Sequence, residues 1–210
     1  MPENSENTNA KNSVPSPAET QIPLADLIRT RLAKVHDLNR IGINAYPYRY
    51  ERSHQVSELL SDFDKMAADE TVVRIAGRVM LKRKMGKSTF VDIRDASDRI
   101  QAYVKLNNVG QEAYELFDSI DLGDIIGCEG TLFVTRTEER TLKVSSFELL
   151  CKSLHPLPDK HSGLTDVETR YRRRYADLIV NPEVREVFRM RSRIIQIIRD
   201  MLNDQGFLEV

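Results

Sequence analysis

The residues with the clearest chemical potential are Phe90, Gln101 and Tyr103, together with the cations around them. They lie between Met85 and Lys105, a stretch that reads as two alternating strands joined by a polar turn. Val91 and Ile93, then Ile100, Ala102 and Val104, supply the inward faces. Phe90, Asp92 and Arg94, then Arg99, Gln101, Tyr103 and Lys105, fall on the outward faces. An exposed ring offers a base something to stack on, a carboxamide offers a donor and an acceptor, and cations meet phosphate. That combination on one sheet face predicts a reader of single-stranded nucleic acid.

The elements that must hold this face follow from the flanking pattern. Thr71 to Leu150 reads as a run of strands. The first runs from Val72 to about Lys84, with Gly77 as a bend or bulge. The two strands above come next. A helical stretch then covers Asn107 to Ile120, with Val109, Ala113, Leu116 and Phe117 on one face. Ile125–Thr135 and Thr141–Leu150 form a hairpin around Glu138, Glu139 and Arg140. Three strands, a helix and two strands is the order of an OB-fold, a five-stranded Greek-key β-barrel that binds oligonucleotides across strands 2 and 3.

Outside this unit the pattern is helical, so the fold class is α+β. Residues 1–21 are polar and predicted to be a disordered tail. An N-terminal helical region spans 22–70: a long helix starts at Pro23 and closes at Gly42, a connector runs from Ala45 to Tyr50, and a short helix lies near Val56–Met66. The OB unit covers 71–152 and a proline-rich hinge 153–164. From 165 onward, a capping box at Thr165–Glu168 opens one helix, and Asn181-Pro182 opens another that Gly206 ends. Phe207–Val210 reads as the beginning of a strand.

Composition narrows the function further. A net charge of −1 argues against a generic polyanion binder. Locally, however, Val72–Lys105 sets nine cations against three acids, and Leu106–Gly127 holds five acids and no cation. That arrangement suits steering of a phosphate chain. Cys128 and Cys151 sit among apolar residues and are read as reduced core thiols of a cytoplasmic protein. The four histidines show no metal-ligand spacing, and no apolar run approaches the ~20 residues of a membrane span. Gly86-Lys87-Ser88 ends like a phosphate-binding P-loop, but Leu81 stands where that motif needs glycine, so a tight basic hairpin is the better reading. Arg170, Arg172, Arg173 and Arg174 could meet phosphate, although pairing with Glu168, Asp177 or a partner subunit is favoured.

Several stretches together resemble the class II lysyl-tRNA synthetases: Arg31–Leu38 with Gly42–Pro47, Met85–Tyr103, Leu122–Gly127, Pro156–Lys160, Gly163–Leu178, and Arg191–Ile195 with Gly206–Val210. The resemblance covers about residues 24–210. It implies an OB domain that binds the anticodon of lysine tRNA and a 165–210 segment that begins a class II catalytic domain. Carried over by position, Phe90 matches the stacking aromatic and Gln101 the uridine-reading amide. Arg83 matches a cation on the first strand, and Glu139 a carboxylate in the strand 4–5 hairpin. Arg83 breaks the alternation set by Val73 and Ile75, so it needs a bulge or bend, assigned to Gly77. The helix Pro182–Gln205 matches motif 1, which builds a homodimer interface in the family. No catalytic residue or metal ligand is carried over. Motifs 2 and 3, which hold ATP, Mg2+ and lysine, are expected beyond Val210. The chain is therefore expected to be a fragment or an incomplete gene product, inactive alone and without a cofactor of its own. The alternative is a free-standing OB module that binds single-stranded RNA or DNA without catalysis.

Overall fold

The computed structural model describes residues 23–158 and 164–210. The expected tail and residues 159–163 of the expected hinge lie outside the described residues. Helix α1 (Leu24–Arg40) starts directly after Pro23. It buries Val35 and Leu38, whereas Leu24 and Leu32 stay exposed. The short helix expected near Val56–Met66 is two, α2 (Val56–Ser61) and α3 (Phe63–Ala68). Between α1 and α2, the Tyr50 ring lies where a Cβ on Gly127 would stand, so the connector packs flat on the sheet.

Five strands follow: β1 (Val73–Met85), β2 (Ser88–Arg94), β3 (Arg99–Lys105), β4 (Ile125–Val134) and β5 (Arg140–Cys151). They pair in the order β1-β2-β3-β5-β4, with β4 returning to β1, so the ring closes. All pairs are antiparallel except β3 with β5. This is the OB-fold order, and it removes free sheet edges. Val73, Ile75, Val79, Val91, Ile93, Ile100, Val104, Ile126, Leu142 and Val144 fill the interior. The expected helix between β3 and β4 is split at Gly110 into α4 (Leu106–Val109) and α5 (Gln111–Asp118). Phe117 is fully buried from α5, and so is nearly all of Tyr114, a core residue the helical pattern had not picked out.

β1 corrects one expectation. Its register slips between Val79 and Leu81, so the bulge lies at Met80 and not at Gly77. Gly77 answers a different need: a Cβ there would stand 2.6 Å from Ile93 Cγ2 and 2.7 Å from the Arg94 carbonyl oxygen. Close passage of β2 therefore demands glycine. At the end of β1, Gly86 has φ +60 and turns the chain into β2 within two residues, as the tight basic hairpin requires.

The C-terminal helices are α6 (Val167–Arg172), α7 (Arg174–Val180) and α8 (Pro182–Asp204). The single helix expected from Thr165 breaks at Arg173, and its cap is Asp166, whose carboxylate accepts from the Thr169 backbone N–H at 2.7 Å. The cap thus lies one residue later than expected, and it is a single side-chain cap without the reciprocal bond of a capping box. Phe207–Val210 is not a strand. Along α8 only Val184 is buried, while Val187, Met190, Ile194, Ile197, Ile198 and Met201 are exposed.

Candidate nucleic-acid interface

The outer face of the ring is built as cross-strand rows. Without the bulge at Met80, Arg83 would share the inward parity of Val73 and Ile75. The slip reverses that parity and sets Arg83 directly opposite Phe90, which faces Tyr103 on β3. Arg83, Phe90 and Tyr103 therefore form one row. The adjacent row runs Asp92, Gln101, Thr141 and Phe133. The rings of Phe90 and Tyr103 lie 4.8 Å apart, and Phe133 meets Tyr103 edge-on at 6.1 Å. Three aromatic side chains thus make a continuous apolar floor.

A groove of about 750 Å³ runs over this floor. Arg83, Met85, Phe90, Gln101, Tyr103 and Phe133 line it, and Val134–Thr137 of the β4–β5 hairpin form one wall. Of the four residues singled out by position, Arg83, Phe90 and Gln101 come together here. Glu139 does not line the groove. It accepts from Arg99 Nη2 at 3.3 Å, and Arg99 Nη1 donates to Asp92 at 2.8 Å. The carboxylate and the guanidinium tie the hairpin to β2 and β3.

The outward face is less exposed than alternation alone predicts. Phe90 is half-buried, and Asp92 and Gln101 are buried. The cause is a second layer: Arg99 pairs with Asp92, and the hairpin folds against Gln101 and Thr141. Alternation gives the parity of a side chain but not what later covers it. Tyr103 belonged to the expected outward face, yet Phe133, Arg136 and Thr141 were missed. Phe133 follows Leu132 in β4 and its parity was readable. The place of Thr141 depends on the parallel β3–β5 pairing, which no local pattern encodes.

The charge reading also changes. Most of the cations in Val72–Lys105 have structural partners. Lys82 Nζ donates to the carbonyls of Phe117, Asp118 and Ile120 at 2.8–3.0 Å, and burial pushes its pKa down. Arg78 donates to the Gly123 carbonyl, and Lys84 pairs with Asp118. Two further acids after Leu106 are neutralised likewise: Lys34 reaches Asp121 at 2.6 Å, and the buried Lys152 holds both Asp121 and Asp124. Part of the alternation of sign along the chain is therefore internal pairing. Arg83, Lys87, Arg94, Lys105 and Arg136 have no ion pair or side-chain hydrogen bond among the described residues. Arg170 and Arg174 both pair with the buried Asp177, and Arg172 with Glu168, so three of the four arginines pair within the chain.

Burial raises the Cys128 thiol to about 12, so it is chemically quiet. Among the described residues no group of three or more His, Cys, Asp or Glu side chains could hold a metal ion. No described helix is long and apolar enough to cross a membrane.

A closed OB ring with an aromatic, cation-edged groove defines a class, and comparison with known families agrees. Residues 73–150 match the OB-fold nucleic acid binding domain, and residues 166–210 match the class II tRNA synthetases of the D, K and N group. The chain thus joins an anticodon-binding type of OB domain to class II tRNA synthetase sequence. In particular, it is homologous to lysine–tRNA ligases. It is 52% identical to that of Carboxydothermus hydrogenoformans over 187 residues, and 46% identical to that of Bacillus subtilis over 192 residues. Each match takes in 89% of this chain, which spans about 38% of the length of these relatives.

Proposed function

We propose that this chain supplies the anticodon-reading part of a lysine–tRNA ligase, the enzyme that attaches lysine to lysine tRNA with ATP through a lysyl-adenylate. The observation that carries the reading is the groove that gathers Arg83, Phe90 and Gln101 in a chain half-identical to such ligases. Phe90 stacks a base, Gln101 reads its edge, and Arg83 meets the backbone. Glu139 acts through Arg99 on the shape of the hairpin wall.

ATP and Mg2+ belong to the activity of the whole enzyme. The residues present do not fit them: the described acids form no metal cluster, and the arginines of α6 and α7 are engaged by Asp177 and Glu168. No catalytic step is therefore assigned to this chain. The exposed apolar side of α8 is our proposed homodimer face, and sedimentation should show concentration-dependent association that Ile194→Glu abolishes. The proposed compartment is the cytoplasm.

The test is a binding series with RNA hairpins carrying a UUU loop, or cytidine at each of those positions, at two salt concentrations. Gln101→Ala should weaken the UUU loop by about 1–3 kcal/mol and relax discrimination at one position, by analogy with base readout in DNA. Arg83→Ala should weaken every loop alike and flatten the salt slope by about 1. Equal binding of all loops by the unaltered chain would favour a general single-strand binder and sink the anticodon reading.

A further inference from the structure

We propose that Arg94, in a cavity beside the groove, binds a backbone phosphate of the RNA strand next to the bases that the groove reads. The inference rests on the anticodon reading above and deepens it, adding a second point of contact for the same RNA.

Arg94 stands in a row of like charge. On the outward face of the ring it lies opposite Arg78 on β1 and opposite Arg99 on β3. Like charges directly opposite one another destabilise a sheet. The two flanking arginines are held: Arg78 donates to the Gly123 carbonyl, and Arg99 pairs with Asp92 and Glu139. Arg94, half-buried between them, has no such partner among the described residues. It lines a cavity of about 780 Å³ between the sheet face, the segment Pro156, Leu157 and Pro158, and the junction of α7 with α8. Arg31 and Arg99 line the same cavity, against the single carboxylate of Asp92. Arg31 donates to the carbonyls of Ser153, His155 and Leu122, which are neutral and leave its charge uncancelled.

Such a site suits an anion, and its surroundings favour phosphate over a base. The guanidinium fork matches a pair of phosphate oxygens. Met80, Leu81 and Leu157 make apolar walls, and an anion held against them is screened less than in open water. Among the described residues no aromatic side chain lines the cavity, so it offers a base nothing to stack on. Its position ties it to the groove. Gln101 lines the groove, and Asp92, its partner across β2 and β3, lines the cavity. Arg94 follows Phe90 by four residues on the same side of β2, about 13 Å at the rise of a strand. A strand whose base stacks on Phe90 therefore reaches Arg94 with its neighbouring backbone. The bulge at Met80 serves both places, turning Arg83 to the groove and setting Met80 and Leu81 against the cavity.

The experiment uses the full chain and three RNA probes at two salt concentrations: a UUU hairpin, its single cytidine variants, and the bare trinucleotide UUU. The trinucleotide fills the groove and stops short of the cavity. Arg94→Ala should weaken the hairpin about tenfold, as loss of a hydrogen bond to a charged group does, and flatten its salt slope by about 1. It should leave the trinucleotide affinity and the uridine-to-cytidine ratio unchanged. Arg94→Lys keeps the charge and loses the fork, so it should keep the slope and bind the hairpin less tightly than the unaltered chain. The thermal midpoint of Arg94→Ala should be unchanged or higher, because a row of like charge is relieved. Equal weakening of both RNAs with a lowered midpoint would make Arg94 a packing residue and overturn the proposal. If Arg94→Ala keeps the hairpin affinity and slope while the unaltered chain prefers uridine, the phosphate contact is wrong and the anticodon reading stands. If the unaltered chain shows no preference for uridine, the anticodon reading fails and this inference falls with it.

Discussion

At the scale of single residues, the groove shows that a side chain can serve the fold and a ligand at once. Phe90 is half-buried because Tyr103 covers one side of it, and its other side looks into the groove. Phe90→Ala should weaken binding of the UUU hairpin by about 1–3 kcal/mol through lost base stacking. It should also cost the fold about 0.5–1.5 kcal/mol, the worth of the aromatic pair. Titration with RNA and urea denaturation of the same variant separate the two effects. Unfolding with unchanged affinity per folded molecule would make Phe90 a core residue and nothing more. This double role was only half legible in the sequence. Alternation told which way Phe90 points, but the partner that half-covers it stands thirteen positions on in another strand.

At the scale of elements, β1 decides whether a site exists. Its first half is committed to the core by Val73, Ile75 and Val79, and its second half must deliver Arg83 to the opposite face. One extra residue, Met80, makes the change, since a slip of one reverses every later side chain. The need for a break was readable from Arg83, because the parity could not otherwise be met. Its location was not readable, because glycine is the usual signal and Gly77 was nearer to hand. Gly77 is there for the close approach of β2, a long-range packing fact that leaves no mark on local pattern. Gly77→Ala should therefore destabilise the ring by about 1–3 kcal/mol, as overpacking against backbone does, and leave the affinity of folded molecules for RNA intact. A denaturant midpoint equal to that of the unaltered chain would show that β2 gives way and that the contact is soft. The strands and their order were legible because alternation is local. The splitting of the C-terminal helix at Arg173 was not, because nothing in the sequence around it breaks helical periodicity.

At the scale of the whole molecule, ion pairs join what the strands leave separate. Lys34 from α1, Lys152 from the end of β5, and Asp121 and Asp124 from the loop before β4 meet beneath the carbonyl end of α5. Burial alone would push the Asp121 carboxyl up, but hydrogen bonds from Lys152 and Lys34 outweigh it, and the group lies below the ordinary aspartate range. Asp95 is likewise depressed: burial raises it, and hydrogen bonds from Ser97 and the backbone N–H groups of Val56, Asp98 and Ser97 outweigh that. Asp177 follows the same balance, with Asn181 and Arg170 lowering it. A carboxyl whose folded pKa lies below its unfolded value favours the folded state in full above the unfolded value, near ~4. That contribution disappears as pH falls through the depressed folded value. Stability should thus be flat from neutral pH down to about 5 and then drop steeply toward about 2. Lys152→Met, which leaves Asp121 with Lys34 alone and the buried Asp124 with no cation, should cost about 3–5 kcal/mol at pH 7, because the Asp124 charge is then buried without an ionic partner. Asp121→Asn should start less stable at pH 7 but lose less across the acid window, since one of the titrating groups is gone. Urea denaturation of the three proteins between about pH 7 and about pH 3 checks both statements. Parallel acid limbs for Asp121→Asn and the unaltered chain would show that Asp121 does not carry the titration, and the acid loss would then fall to the other depressed carboxyls, Asp95 and Asp177.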